Sequence, residues 1–457
     1  MAALHRRPKA PNQALAKLVT ESGMSRKSLA HRVNELTNGT TAYTHTSVGN
    51  WTGGMVPRPP IPALVAAALE ERLGRRVTVT DIGMGEVQQP RKDIGLDFLR
   101  DPDDALRLAA EYWSTVDRRT FLTAGTFAIT AYGSPVFRWL ANPADLAVPR
   151  SGGQRVGRTD IDELWTTAEE ARQWDSKFGG GNWHASSVVE CLKQRAAPLL
   201  LGTYTETIGS ELFTVTSELA RVAAWSAFDM GHHDIAQRHF IQALRLARSS
   251  GDLQTGCYVL ATMSLQAFLR GYITEAIDMA EGAYDRAKHA AAPRVLAFAK
   301  LAAARAYGRA GDERAATAAL AASENLIDSI RPDTPDPEWL AYLTHARISA
   351  DAAEIFRDLG KPASALHWNQ QADAMPPGVY TRAVGIRLAV VGTAHLQAND
   401  LEQGLATGTQ ALEILGQVRS ARAQDYVRKF TDSLNPWRNE AQVIDFVRQS
   451  HRAHAGV

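Results

Sequence analysis

Apolar residues recur every three or four positions in four short segments near the start of the chain, a spacing that predicts four amphipathic helices. The segments are residues 12–21, 26–36, 44–51 and 62–73. Ser25 precedes the second segment and has the short polar side chain typical of a helix N-cap. Gly74 follows the fourth segment, where a helix commonly ends in the left-handed conformation. The start of the chain is therefore expected to form a small helical bundle.

The third segment is short, and its two faces differ in polarity. Val48 and Trp51 fall on the inner face, so Trp51 is expected to be a core residue. Thr46, Ser47 and Asn50 fall on the outer face. These three polar residues either contact a binding partner or are ordinary solvated positions.

A pattern of small residues repeats through the second half of the chain. Its anchors, spaced 40, 40, 49 and 39 residues apart, are Gly231, Gly271, Gly311, Gly360 and Asn399. Ala, Ser or Gly lies seven positions before, five after and twelve after every anchor. Two antiparallel helices approach closely only where side chains are short, and Gly or Asn tolerates a left-handed turn between them. The pattern predicts five stacked helical hairpins, with the long spacing explained by the Pro-rich loop RPDTPDPEW.

These offsets resemble those of tetratricopeptide repeats over about residues 205–415, and GHHDIAQRHFIQAL, which starts at Gly231, matches best. The resemblance implies an all-α helical solenoid whose concave face holds an extended peptide, a partner helix or a second copy of the chain. The effector-groove positions implied by the family are Arg221, Trp225, Tyr258, Arg305, Arg347, Glu354 and Arg357. Arginines beside aromatic rings suit a ligand with a carboxylate, but arginines on an open helix face are also commonly just solvated.

The bundle at the start resembles the Xre-type helix-turn-helix domain over roughly residues 10–86. The motifs that match are SRKSLAHRVN, TSVGNW before a Gly turn, and PRPPIPALVAAALEERLG. In this family the third helix lies in the DNA major groove, although the link before it here has about nine residues instead of three or four. The resemblance implies base contacts by Thr46, Ser47 and Asn50, phosphate contacts by Ser25, Arg26, Lys27 and Arg58, and a flexible arm formed by Arg6, Arg7 and Lys9.

The charge distribution agrees with this division. Residues 1–76 contain eleven Lys and Arg but only four Asp and Glu, a net charge of +7, whereas the rest of the chain has 39 basic and 45 acidic residues, a net charge of −6. A basic head is a common electrostatic footprint of proteins that bind polyanions. The alternative is a solvated surface that happens to be rich in arginine.

The composition excludes several other classes of protein. Cys191 and Cys257 cannot build a disulfide framework, and no Cys-x-x-Cys or His-rich cluster has metal-ligand spacing. No apolar stretch approaches the length of a membrane span, and no signal-peptide core follows the first charges. No Gly-x-Ser-x-Gly, His-Glu-x-x-His or paired-carboxylate motif stands out. We therefore expect a cytoplasmic protein that is not an enzyme and has no cofactor and no metal.

Two motifs invite other interpretations. Arg118-Arg119-x-Phe121-Leu122 resembles a twin-arginine export signal, but it lies more than a hundred residues from the start and precedes a run poorly suited to span a membrane. The run FGGGNWHASS from Phe178 lacks the Gly-Lys-Ser/Thr of a phosphate loop. A helix between domains and a helix–helix turn, respectively, are the favoured interpretations.

The expected domains are a helix-turn-helix head at 1–86, a helical connector at 87–158, a solenoid at 159–440 and a tail at 441–457. This combination is similar to actinobacterial-type transcriptional regulators. It implies a homodimeric, sequence-specific regulator of double-stranded DNA whose solenoid binds a peptide, small-molecule or protein effector. The alternative is a tetratricopeptide scaffold or adaptor with a degenerate head.

Overall fold

The computed structural model describes residues 11–37, 42–58, 60–75, 77–79, 81–84, 94–115, 126–141, 153–181, 183–333, 335–372 and 380–455. Over these residues the chain is all-α and contains no β-strand, which confirms the predicted fold class. The chain forms two compact units, residues 1–92 and residues 93–457.

The first unit has one helix for each of the four predicted segments. These are α1 (Gln13–Glu21), α2 (Arg26–Leu36), α3 (His45–Thr52) and α4 (Ile61–Leu73). Gly74 follows α4 with φ at 64°, as expected for a left-handed helix end. The apolar stripes of the four helices meet in one core. Its fully buried members are Leu15, Leu29, Val33, Val48, Val65, Leu69 and Ile82.

The long link between α2 and α3 is held by Asn34. Its Nδ2 donates to the Tyr43 carbonyl at 2.8 Å, and its Oδ1 accepts from the Tyr43 N–H at 2.7 Å. The Tyr43 ring lies 5.4 Å from the Trp51 ring, centroid to centroid. Asn34 thereby sets where the chain turns toward α3, despite the length of the link.

The second unit begins with α5 (Pro102–Thr115), α6 (Gly133–Ala141), α7 (Arg158–Phe178), α8 (Trp183–Cys191) and α9 (Ala197–Leu200). Five helical hairpins follow, α10 (Glu206–Asp229) with α11 (His233–Ser250), α12 (Leu253–Leu269) with α13 (Ile273–Ala287), α14 (Pro293–Ala310) with α15 (Glu313–Asp328), α16 (His345–Asp358) with α17 (Pro362–Gln371), and α18 (Thr381–Gln397) with α19 (Leu401–Leu415). The unit ends with α20 (Ala421–Ser433) and α21 (Ala441–Ala455). The predicted repeat of paired helices is confirmed.

Each predicted anchor is the turn of a hairpin. The four anchor glycines have φ between 68° and 88°, and Asn399 has φ at 61°. Asn399 is the one non-glycine residue with positive φ in the described part of the chain. The fifteen small residues around the anchors are all buried, because they lie where paired helices cross. Ser264 illustrates the contact, since its Oγ donates to the Ala276 carbonyl across the hairpin at 2.7 Å.

The first helices of the five hairpins, together with α20, close into a ring. Successive members of the series α10, α12, α14, α16, α18 and α20 contact one another, and α20 contacts α10 again. Helix α7 also packs against both α10 and α18. We call α10, α12, α14, α16, α18 and α20 the helix ring. Their inner faces surround the cavity described below.

The segment predicted as a connector packs on the outside of the first hairpin. Trp113 on α5 donates from Nε1 to Nδ1 of His239 on α11 at 3.4 Å. Gln242 on α11 donates to the Gly95 carbonyl at 2.8 Å. These contacts make residues from 94 onward part of the second unit. Arg118 and Arg119 lie outside the described residues.

Candidate functional site

Helix α3 has two faces of opposite character. Thr46 and Asn50 are exposed, whereas Val48 and Trp51 on the other side are 0% and 1% exposed. The prediction that Trp51 is a core residue is confirmed. The exposed amide of Asn50 carries both a hydrogen-bond donor and an acceptor, the combination that reads adenine edges in DNA complexes.

Two of the serines singled out in the sequence cap their own helices. The Oγ of Ser25 accepts from the Ser28 N–H at 3.1 Å at the start of α2. The Oγ of Ser47 accepts from the Thr44 N–H at 3.2 Å at the start of α3. Each hydroxyl keeps its own proton to donate, so capping leaves both serines with one donor.

The carboxylates of the first unit are engaged away from the residues predicted to contact phosphate. Arg32 pairs with Glu35 and Glu71 at 2.7 and 2.8 Å, and Arg75 pairs with Glu21 at 2.7 Å. Five cations of the described part of this unit are exposed and form no ion pair there: Lys17, Arg26, Lys27, Arg58 and Arg72. Three of the five, Arg26, Lys27 and Arg58, lie on α2 and in the segment between α3 and α4, so unneutralised positive charge is present there.

Arg26 lies directly beside α3. A Cβ atom at Gly49 would lie 3.5 Å from Nη1 of Arg26, which is ordinary van der Waals contact. The guanidinium therefore lies against the helix that carries Thr46 and Asn50. Arg6, Arg7 and Lys9, which were predicted to form a flexible arm, lie outside the described residues.

The second unit contains a cavity of about 160 Å³. Six of the seven residues predicted for the effector groove line it: Arg221, Trp225, Tyr258, Arg305, Arg347 and Glu354. Arg357 is placed behind this lining, with its Nε 2.7 Å from Oδ1 of Asp358 and its Nη2 3.3 Å from Oε1 of Glu354. The repeat register therefore brings together side chains that are up to 133 residues apart in sequence (Arg221 to Glu354).

Four of these six side chains are buried, and Trp225 and Arg347 are partly buried, in contrast to the open concave face expected from the sequence. Arg221 and Arg305 are 5% and 6% exposed. Helix α20 covers part of the face, because the Arg422 guanidinium lies 4.9 Å above the Trp225 ring and Tyr426 reaches both α14 and α16. The remaining space is a small cavity, and it is not a groove that accepts a long extended peptide.

Glu218 on α10 is the first of two carboxylates that organise the cavity wall. Its oxygens accept from Nε and Nη2 of Arg221, both at 2.7 Å, and from Nη1 of Arg172 on α7 at 2.6 Å. Burial raises the pKa of Glu218, but the guanidinium of Arg221, followed by that of Arg172, outweighs burial and holds the pKa below its ordinary value. Arg221 also lies 4.5 Å above the ring of Tyr258.

Glu354 on α16 is the second organising carboxylate. It accepts from Nη2 of Arg305 at 2.6 Å and from the Tyr426 hydroxyl at 2.6 Å. Burial raises the pKa of Glu354, but Arg305 and Arg357 outweigh it and lower the pKa to about 2. Glu354 is therefore ionised near neutral pH and joins α14, α16 and α20 through one charge.

Asp229, the last residue of α10, joins the two ends of the helix ring. It is fully buried and accepts from Nη1 of Arg382 on α18 at 2.9 Å, from Nε of Arg422 on α20 at 3.0 Å and from the Gly180 N–H at 2.9 Å. Burial raises its pKa, and the two arginines outweigh that effect and lower it. Arg382 also pairs with Asp175 of α7 at 2.6 Å.

Sequence reasoning missed several charged and aromatic members of the cavity lining. Among them are Arg172 and Asp175 on α7, Arg382 and Arg387 on α18, and Arg422 and Tyr426 on α20. Arg382 and Arg387 lie on the first helix of the fifth hairpin, so the repeat register itself offered a signal for them. Helices α7 and α20 lie outside the repeat, and no local pattern marks their inward faces.

The glycine-rich run after Phe178 is a helix–helix turn, as predicted. It joins α7 to α8, and its glycines allow close approach to other backbone segments. A Cβ atom at Gly180 would lie 2.6 Å from the Ser226 carbonyl, and one at Gly179 would lie 2.7 Å from the Arg419 carbonyl. The glycines thus permit the turn to reach Asp229 and the start of α20.

No helix among the described residues combines the length and the apolar character needed to cross a bilayer. The same residues contain no group of three His, Cys, Asp or Glu placed to hold a metal ion.

Comparison with known proteins identifies one region. Residues 15–85 match the family described as the SP15 N-terminal domain, so the first unit is similar to that domain over α1 to α4 and the turn that follows. No curated protein matches the chain. The chain is thus an SP15-like N-terminal domain followed by a large region of paired helices.

Proposed function

We propose that this protein is a sequence-specific, DNA-binding transcriptional regulator whose helical repeat region binds an effector. In this proposal the first unit acts as an Xre-like helix-turn-helix domain, and the second is a tetratricopeptide-like solenoid. The protein works in the cytoplasm as a homodimer and has no catalytic activity of its own.

The observation that carries the proposal is the arrangement of α2 and α3. Val48 and Trp51 fix the inner face of α3 in the core, which leaves Thr46 and Asn50 exposed. Arg26 supplies positive charge beside α3, and Lys27 follows it on the exposed surface of α2. Base-reading groups flanked by unneutralised cations are what a recognition helix needs in the major groove.

The short length of α3 suits this role. A helix enters the major groove with few residues, and three or four side chains are enough to reach base edges. Arg58 follows α3 in the segment toward α4 and is exposed, and in this proposal it contacts the sugar-phosphate backbone. Two copies in a dimer would read half-sites about one helical turn apart.

Electrophoretic mobility shift with genomic fragments, repeated over a salt series, tests the proposal. The regulator should bind selected fragments saturably, and its affinity should fall steeply as the salt concentration rises, because bound phosphates release counterions. A scrambled duplex of equal length is the matched control. Equal binding to all duplexes, or no binding at low ionic strength, contradicts the proposal and favours the scaffold or adaptor alternative.

The symmetry of the bound sites tests the dimer. Footprinting on a selected fragment should protect two similar half-sites centred roughly 10 base pairs apart, or a multiple of that distance. A single protected half-site would show that one copy of the protein is sufficient.

A further inference from the structure

We propose that the cavity inside the helix ring binds a small aromatic acid, with one ring and one carboxylate. This proposal rests on the proposed function only in taking the bound molecule to be the effector. Binding of such an acid to the cavity is measured without DNA. A failure of acid binding can therefore be distinguished from a failure of DNA binding.

The positive charge around the cavity exceeds the negative charge. Seven arginines and three carboxylates are among the residues that line it. Three more carboxylates, Glu169, Glu218 and Asp229, pair with lining arginines from behind. Seven positive and six negative charges leave an excess of one among these described residues. A buried excess of positive charge is costly unless an anion balances it.

The hydrogen-bonding capacity of the arginines is also incompletely used. Within the described residues, the buried Nε of Arg305 has no acceptor. Arg347 has the most exposed side chain, at 26%, among the arginines whose ion pairs are described around the cavity, and it pairs with Asp351 at 3.1 Å. A carboxylate entering the cavity would find donors here that already have the fork geometry that suits it.

Aromatic rings supply the second half of the recognition. Trp225, Tyr258, Phe298, Tyr342, Tyr380 and Tyr426 line the same space as the arginines. The Tyr258 and Tyr342 hydroxyls lie 3.4 Å apart at one side of it. Rings of this kind pack against the flat face of an aromatic ligand, and inorganic anions would leave that surface without contacts.

The cavity volume sets the size of the ligand. About 160 Å³ is comparable to protein cavities that hold a single benzene-sized molecule. Helix α20 already covers part of the inner face, with Tyr426 bonded to Glu354 at 2.6 Å. A peptide or a partner helix would have to displace α20, so the volume favours a small molecule over the peptide and protein effectors.

Titration of the full-length protein with benzoate and phenylacetate tests the proposal, by ligand-observed NMR and calorimetry at millimolar ligand. Benzyl alcohol provides the ring without the charge, and acetate and inorganic phosphate provide charge without the ring. We expect saturable binding of the aromatic acids, at least about tenfold tighter than any of the three controls, since each control lacks one set of contacts. No binding of either acid, or equal binding of a control, overturns the proposal.

Two variants that change the charge around the cavity in opposite directions test whether the acid binds there. Arg347→Gln removes one positive charge and should weaken benzoate binding about tenfold, whereas Asp351→Asn increases the positive excess and should strengthen it. Arg428→Gln, at an exposed position on the outside of α20, is the matched control and should leave the affinity unchanged. If Arg347→Gln and Asp351→Asn weaken binding alike while circular dichroism shows folded protein, the cavity is not the acid site.

Discussion

Nη1 of Arg382 lies 2.9 Å from Oδ2 of Asp229, although the two residues are 153 positions apart in the sequence. Asp229 ends α10, the first helix of the repeats, and Arg382 lies near the start of α18 in the last hairpin. Both side chains are buried. This ion pair is therefore a direct link between the beginning and the end of the repeat region.

Asp229→Asn should destabilise the second unit strongly. It removes the charge that Arg382 and Arg422 share, which leaves Arg382 with Asp175 alone and the largely buried guanidinium of Arg422 facing a neutral amide. We expect a loss of roughly 3–5 kcal/mol in the free energy of unfolding, measured by urea denaturation followed by circular dichroism. Asp425→Asn is the control, because Asp425 is half exposed and its ion pair with Arg428 lies in solvent. Similar losses in the two variants would contradict the assigned role of Asp229.

Gly311→Ala should destabilise a repeat turn through the backbone alone. Gly311 has φ at 80°, and a Cβ atom there would meet nothing within 4 Å. The left-handed conformation costs an alanine about 1–2 kcal/mol, and the melting temperature should fall accordingly. Gly133→Ala is the control, since Gly133 opens α6 with φ at −54° and also has open space around it. That variant should be neutral or slightly stabilising, and a loss equal to that of Gly311→Ala would refute the backbone explanation.

Stability should decrease as the pH falls below about 6.5, in part because of His239. Burial lowers the pKa of His239 to about 3, and Trp113 donates to its Nδ1. The unfolded state then binds more protons than the folded state below the ordinary pKa of histidine. The contribution of His239 to the free energy of unfolding is complete above about pH 6.5 and is lost toward pH 3. The free energy of unfolding falls by up to about 1.4 kcal/mol per pH unit in this range.

His239→Gln removes this titration and keeps an acceptor for Trp113. The variant should show a shallower loss of unfolding free energy between about pH 6.5 and 4.5, a window above the ordinary pKa values of the carboxylates. His233, whose pKa burial and then Arg270 lower to about 4, contributes to the same window and should account for part of the remaining slope. His345→Gln removes an exposed imidazole and is the control. An unchanged slope in His239→Gln would contradict the prediction.

Asn50→Ala and Arg26→Ala should affect DNA binding differently. Asn50→Ala should relax base preference at one position of the site by about 1–3 kcal/mol, because a base-edge contact is lost. Arg26→Ala should weaken binding to all sequences alike and reduce the salt slope by about one. Selection of bound sequences from a random pool measures the first effect, and a salt series measures the second. If Asn50→Ala leaves the preferred sequence unchanged, the base-reading role is wrong.

The hairpin turns were predictable from sequence because their cause is local. A left-handed backbone position requires Gly or Asn whatever surrounds it, so Gly231 and Asn399 are recognisable without any knowledge of the fold. The short buried residues around each turn follow from the same contact. Trp51 was also assigned correctly, because helical spacing alone places it on the face of Val48.

The burial of the residues predicted for the effector groove could not be predicted in the same way. The repeat register places Arg305 and Glu354 on inner helix faces, but it contains no information about what covers those faces. That depends on Tyr426 and Arg422 in α20, which lie outside the repeat. Contacts between distant segments such as these leave no periodic trace in the sequence.

The closed helix ring limits the number of hairpins that the repeat region can contain. An open stack of hairpins can gain or lose a unit at either end, and evolution often tunes such proteins by adding copies. Here a sixth hairpin would push Arg382 and Arg422 away from Asp229. With one hairpin fewer, the helix ring would be too short for these arginines to reach Asp229. The number of hairpins is thereby fixed by the requirement that the first and the last share one carboxylate.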